Sequence, residues 1–239
     1  MGIARLQAGA SGNPPAGREG AIRRPGTYGT GAAAQGGRVP TKAAVRRRTV
    51  NPGVHTPEHP GQDPAIAAVT AALATRGAAQ IAHPGGTLLA HLQRVGALLG
   101  QWGARPALRL TGLCHAWYGT DGFPATLGDL ASRDELATII GAGPERLVYL
   151  YASCDRRFSY PRLAQRGGLF RDRFTGAAAC PPPAMRRDFA ELTVANELDI
   201  AGVNPRSRAT YGAELLELFT SWKGLLSIPA WQAVQANLP

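Results

Sequence analysis

Apolar residues recur along the second half of the first hundred positions at intervals of three and four. Ile66, Val69, Ala72 and Leu73 form one such series, which predicts a helix capped by Asp63, opened by Pro64 and closed near Gly77. Leu88, Leu89, Leu92, Val95, Leu98, Leu99 and Trp102 form a broader one, which Gly103 ends. Pro106 then starts a shorter helix through Leu108, Leu110, Leu113 and Cys114 to His115. Two helices separated by so short a turn pack antiparallel, so His91 in the first can face His115 at the end of the second.

Further on, Ser132 and Glu135 have the spacing of a capping box, and Gly141 ends the helix they begin. The segment from Pro144 through Leu147, Leu150, Tyr151 and Cys154 reads as another helix and carries Asp155. Gly167, Gly168 and the prolines at 181–183 mark a long irregular connection. Helical spacing returns from Met185 with Phe189, Leu192, Val194 and Leu198. Among them stand Glu191, Asn196, Glu197 and Asp199, either a solvated face or acids able to assist a site. The last segment, with Leu215, Leu216, Leu218, Phe219, Trp222, Ile228, Trp231 and Val234, reads as helices covering the core. Its two tryptophans offer a second subunit a contact, so a homo-oligomer is the alternative. No run alternates as a strand does, and the expected fold is all-α.

Composition alters this picture at the N-terminus. Residues 1–60 hold nine Arg or Lys and two Glu, a net +7, whereas residues 61–239 hold 17 Arg or Lys and 14 Asp or Glu, a net +3. The basic excess is concentrated in a Gly, Ala, Pro and Arg-rich stretch with almost no apolar periodicity, so residues 1–62 are expected to form a disordered arm and residues 63–239 the folded domain. The cluster at Val45 to Val50 lacks interleaved aromatic residues, so nucleic acid is not the expected partner. The first ten residues have no secretory core, and no run of 18 apolar residues predicts a membrane span. A cytoplasmic location is expected, with Cys114, Cys154 and Cys180 as thiols. Pro57 separates His55 from His59 and prevents a helix from aligning them.

The candidate chemistry lies in His91, His115 and Asp155. A single histidine beside an apolar face is more often a hydrogen-bonded core residue than a ligand. Two of them in a helical hairpin, with a carboxylate on a later apolar helix, suit Zn, Fe, Mn or Co.

The stretch LLAHLQRVGALLGQWGARPALRLTGLCHA resembles the first two motifs of the HD superfamily of metal-dependent proteins, in which a helical His and a later His-Asp pair bind metal. The resemblance spans His83 to Arg157 and implies a helical bundle, with Asp155 matching the family's later helical Asp. Here the His-Asp pair is His115-Ala116, as in an uncharacterised bacterial branch that the sequence resembles more closely. Ala116 has no ligand atom, so His83 is the expected substitute in a set of His83, His91, His115 and Asp155 around one divalent transition metal. Tyr118 and Asp121, just beyond His115, are the candidate catalytic residues. Arg156 and Arg157 are the candidates for holding an anionic group, in an arginine-rich segment that continues to Arg173. These residues point to hydrolysis of a phosphorylated or otherwise anionic small molecule. A non-haem iron oxygenase and a non-catalytic ligand-binding or interaction domain are the alternatives.

Overall fold

A computed structural model describes residues 64–239. The expected arm, the Asp63 cap, His55 and His59 lie outside the described residues. The chain from Pro64 is mostly helical, as the spacing predicts.

Helix α1 (Pro64–Thr75) leads through a turn to a two-residue hairpin, β1 (Ala82–His83) and β2 (Gly86–Thr87), in which His83 pairs with Gly86. Pro84 and Gly85 make the turn. Gly85 has φ +79°, and any Cβ there would lie 2.5 Å from a Val203 methyl, so the position suits glycine alone. This hairpin folds His83 back over the following helix, α2 (Leu88–Gln101), whose cap is Thr87 accepting from Ala90 N–H at 3.2 Å. Gly103, at φ +77°, closes α2, and Pro106 opens α3 (Pro106–Cys114).

Helices α2 and α3 pack through glycines. A Cβ on Gly112 would lie 2.6 Å from Leu99 Cδ1 and 3.6 Å from the Gly96 Cα, and one on Gly96 would lie 2.9 Å from Leu113 Cγ. Backbones that approach this closely bring His91 and His115 within reach of each other.

Helix α4 (Arg133–Ile140) follows a 3-10 turn at Leu130–Ser132. The expected capping box does not form: Ser132 makes no cap hydrogen bond, Asp129 caps the 3-10 turn instead, and Glu135 pairs with Arg76. Helix α5 (Ala142–Ala152) ends before Asp155, which stands at the N-cap of the short α6 (Arg156–Ser159). The long connection that follows holds a 3-10 turn at Tyr160–Arg162 and a second hairpin, β3 (Phe170–Arg171) with β4 (Ala178–Ala179).

Helix α7 (Pro183–Val203) is buried along most of its length from Phe189 to Ala201, with Glu191, Asn196 and Glu197 among the buried residues. A helix surrounded by protein has no solvent face, so its polar residues are there because other polar groups meet them. Helices α8 (Pro205–Ser221) and α9 (Ile228–Asn237) cover it. Trp222 is wholly buried against Phe219 and Tyr160 and donates Nε1–H to Tyr160 O at 3.1 Å, so it is a core residue and not a contact for a second subunit.

Two apolar clusters result. One gathers Val95, Leu99, Tyr151, Phe189, Leu198 and Trp222; the other gathers Leu73, Leu88, Leu92, Cys114, Ala116 and Leu136. His115 follows Cys114 of the second cluster and lays its ring edge-on to Tyr151 of the first, 5.3 Å between centroids.

Candidate metal centre

His83, His91 and His115 lie side by side, and all are buried: His91 is 0%, His115 1% and His83 6% exposed. Their orientations differ in a way that decides which can share a ligand. His91 Nδ1 lies 2.7 Å from Asp199 Oδ2. A carboxylate only accepts, so this nitrogen carries a proton and donates it. His115 Nδ1 lies 2.8 Å from Gly112 O, again an acceptor, so it donates as well. In the neutral rings both Nε2 atoms are therefore bare lone pairs, and they face each other at 3.4 Å.

A third acceptor joins them. Asn196 Nδ2 donates to Glu197 Oε1 at 3.0 Å, which turns Asn196 Oδ1 toward His91 Nε2 at 3.1 Å. Three lone-pair atoms thus converge with no donor among them.

Each outer contact fixes an inner one. Asp199 also takes Nε–H and Nη2–H of Arg94 at 2.6 and 3.0 Å. Burial would raise its carboxyl pKa, but the hydrogen bonds from His91 and Arg94 outweigh that and hold it below the ordinary range. His115 is lowered to about 3, first by burial and then by the charge of a protonated His91.

His83 stands apart from this convergence. Its ring is stacked on His91, with centroids 4.0 Å apart and planes inclined by 22°, and its edge meets Phe123. Ring planes so nearly parallel intersect only well beyond bonding reach of either nitrogen, whereas a bound metal lies in the plane of each ligating imidazole at about 2.0–2.1 Å. His83 covers His91; it does not share an ion with it in this arrangement. Its pKa is lowered to about 3, chiefly by burial, with the charge of a protonated His91 adding to it.

Asp155 is engaged elsewhere. Its Oδ1 accepts from Phe158 N–H at 3.0 Å as the cap of α6, and Oδ2 lies 3.6 Å from an Arg171 Nη1. The carboxylate that touches a histidine is Asp199 on α7. Among the described residues no three His, Cys, Asp or Glu side chains are arranged to hold a metal, so the third convergent atom is the amide oxygen of Asn196.

Tyr118 and Asp121 also have defined partners away from the histidines. The Tyr118 hydroxyl donates to Glu145 Oε1 at 3.1 Å, and Arg133 grips the same carboxylate at 2.6 and 2.7 Å. Burial, with Glu145 beside it, keeps the Tyr118 phenol protonated. Tyr118 lines a surface pocket of about 590 Å³ with Leu127, Asp129 and Phe174, and no histidine lines it. Asp121 Oδ2 accepts the Arg156 backbone N–H at 3.0 Å and so ties the loop after His115 to the start of α6.

Arg156 and Arg157 part company. Arg157 is exposed. Arg156 is buried and pairs with Glu197 at 3.3 Å, so its charge is already matched. Burial raises the Glu197 pKa and Arg156 opposes the rise. Ala116, which follows His115, is buried in the second apolar cluster, where a carboxylate would be costly. Asn196, Glu197 and Asp199 carried a weak signal in the sequence: three polar residues within four positions, set among the apolar Val194, Ala195, Leu198 and Ile200.

Residues 72–156 match a family described as a domain of unknown function, DUF6817. The match takes in His83, His91, His115 and Asp155 but stops short of α7, which supplies Asn196, Glu197 and Asp199. No curated protein and no solved structure matches the chain.

Proposed function

We infer that the protein is a metal-dependent hydrolase of small molecules, with one divalent transition metal (Fe, Mn, Zn or Co) held by His91, His115 and Asn196. The observation that carries this reading is the meeting of three lone pairs without a proton to share. Two nitrogens bound tetrahedrally to one ion at about 2.0–2.1 Å stand about 3.3–3.4 Å apart, which is the separation of the two Nε2 atoms. Imidazole and amide oxygen together suit ions of this borderline class. When bound, such an ion acidifies water and supplies a hydroxide nucleophile near neutral pH.

The chain's own residues do the rest. Asp199 and Gly112 O hold the two tautomers, Glu197 keeps the Asn196 oxygen forward, and the His83 ring shields His91 from water. The arginine-rich segment from Arg157 to Arg173 favours a phosphorylated or otherwise anionic substrate, since a guanidinium fork fits either group. The His/His/Asp set of an iron oxygenase has less support, because Asp155 caps α6 and Asp199 meets His91 at Nδ1, on the side away from the convergence. Three unpaired cysteines among the described residues accord with a reducing, cytoplasmic setting.

A second reading has its own observation. A proton in place of a metal makes His91 an imidazolium that donates to Asp199 at 2.7 Å and to Asn196 at 3.1 Å, which suits a non-catalytic binding domain. Metal content after purification, calorimetric titration with Zn, Mn, Co and anaerobic Fe(II), and turnover of a chromogenic phosphate ester separate the two. The hydrolase reading expects one ion per chain and activity lost in His91→Ala and His115→Ala. Absence of metal uptake in the folded wild-type protein would establish the proton reading instead.

A further inference from the structure

Beside the histidines lies a group of buried polar atoms that nothing described so far employs. Tyr151 from α5, Arg156 from α6, Tyr160 from the following 3-10 turn and Glu197 from α7 are all 4% exposed or less. The Arg156 guanidinium carbon stands 5.9 Å from the Tyr151 ring centroid and 5.8 Å from that of Tyr160, while its Nη1 donates to Glu197 Oε1. Four atoms on these four neighbours have no hydrogen-bond partner: Arg156 Nη2, Glu197 Oε2 and both tyrosine hydroxyls. Thr193 stands beside Tyr151 and donates its own hydroxyl proton to Phe189 O at 2.7 Å; its oxygen is not placed to close a hydrogen bond with the Tyr151 hydroxyl. Buried polar groups are almost always satisfied, so four orphans on adjacent residues mark a place that something polar completes.

The chemistry of the four atoms specifies the occupant. A tyrosine hydroxyl carries its proton at neutral pH, so each phenol has one to donate. With Arg156 Nη2 there are three orphaned donors against one orphaned acceptor, Glu197 Oε2. The charges of Arg156 and Glu197 cancel, and a further anion taken into this interior would be left uncompensated. A hydroxyl group has two lone pairs for each proton, carries no charge, and answers both conditions.

We propose that Tyr151, Arg156, Tyr160 and Glu197 form a binding site for an uncharged, hydroxyl-rich small molecule of the polyol or sugar class. The ligand's oxygens accept from Arg156 and the two tyrosines, and one of its hydroxyls donates to Glu197. The site goes beyond the metal reading and needs no metal: the atoms that make it are distinct from His91 Nε2, His115 Nε2 and Asn196 Oδ1.

Calorimetry and thermal melting of the full chain test it, before and after dialysis against EDTA, with glycerol, erythritol, xylitol and glucose as probes and inorganic phosphate and acetate as charged controls. The expected result is that at least one neutral probe binds and raises Tm, equally in both preparations. Tyr151→Phe and Tyr160→Phe keep the rings and remove one donor each; either should weaken binding about tenfold, the effect of one lost hydrogen bond. No binding by any neutral probe overturns the proposal, as does binding indifferent to both substitutions, or a preference for phosphate or acetate that the substitutions abolish. Should either variant fail to fold, a crystal of the wild-type protein grown with the strongest-binding probe decides: the probe on the four atoms supports the site, and ordered water alone refutes it. Failure of the metal titration leaves this result untouched, so the two readings stand or fall separately.

Discussion

His91 Nε2 and His115 Nε2 face each other at 3.4 Å while the opposite nitrogen of each ring is tied to an acceptor, Asp199 for one and Gly112 O for the other. Two neutral rings locked in the same tautomer have no proton to share at these atoms. A metal ion or an added proton is what the pair of lone pairs can take.

Asp199 should govern that entry without touching it. Asp199→Asn keeps the shape of the side chain but can offer its amide N–H to His91 Nδ1, which reverses the tautomer and turns a proton toward the convergence. Metal affinity by calorimetric titration is expected to fall about 10- to 100-fold, the usual range for a lost orienting partner, with the helical content unchanged.

Asp155 should behave in the opposite way. As the cap of α6 it accepts from Phe158 N–H, and Asp155→Ala removes that bond. Denaturant unfolding is expected to show a loss of about 1 kcal/mol, while metal affinity stays within about twofold of the wild type. A collapse of metal binding in this variant would place Asp155 among the ligands.

Acid should unfold the metal-free protein through its buried imidazoles. His83 and His115 are both lowered from 6.5 to about 3 in the fold, each chiefly by burial. Above pH 6.5 folded and unfolded chains both hold these rings neutral, so there is no effect on stability. As pH falls from 6.5 toward 3 the unfolded chain takes up protons that the folded chain refuses, and stability drops across that window. Replacing His83 by Phe, which cannot titrate, should flatten part of the slope in urea titrations run from pH 7 to pH 4.

Gly112 is expected to be intolerant of even one methyl group. In Gly112→Ala the added carbon would lie 2.6 Å from Leu99 Cδ1, forcing α2 and α3 apart at the point that brings the two histidines together. A cost of about 1–3 kcal/mol in unfolding free energy is the usual effect of such overpacking, and metal affinity should weaken with it. Gly86→Ala, where nothing lies within 4 Å of the added carbon, serves as a control for space, although its own φ of +129° adds local strain.

How far the site could be read in advance depended on whether a local rule covered each residue. The helical hairpin of His91 and His115 was legible because Gly103 and Pro106 punctuate it and its apolar spacing is regular. The turn at Pro84 and Gly85 that brings His83 back is likewise a local signal, yet nothing local says that its ring would stack on His91 and not point beside it. Asp155 misled because an acid just after an apolar helix looks buried; the chain leaves α5 three residues earlier and uses the carboxylate as a cap. The polar residues of α7 carried only a weak cue, since the amphipathic pattern is blurred in a helix buried on most sides.

By itself the order of residues determined that the described chain is helical, where α2 and α3 begin and end, and that two imidazoles would lie on facing helices. Those outcomes follow from spacing, caps and turn residues, which act over a few positions. Only the tertiary structure decided the partners of those imidazoles. Asp199 and Asn196 reach His91 from more than a hundred positions away, because α7 crosses α2 in the packed interior and a buried polar atom binds whichever complementary group the packing brings within about 3 Å.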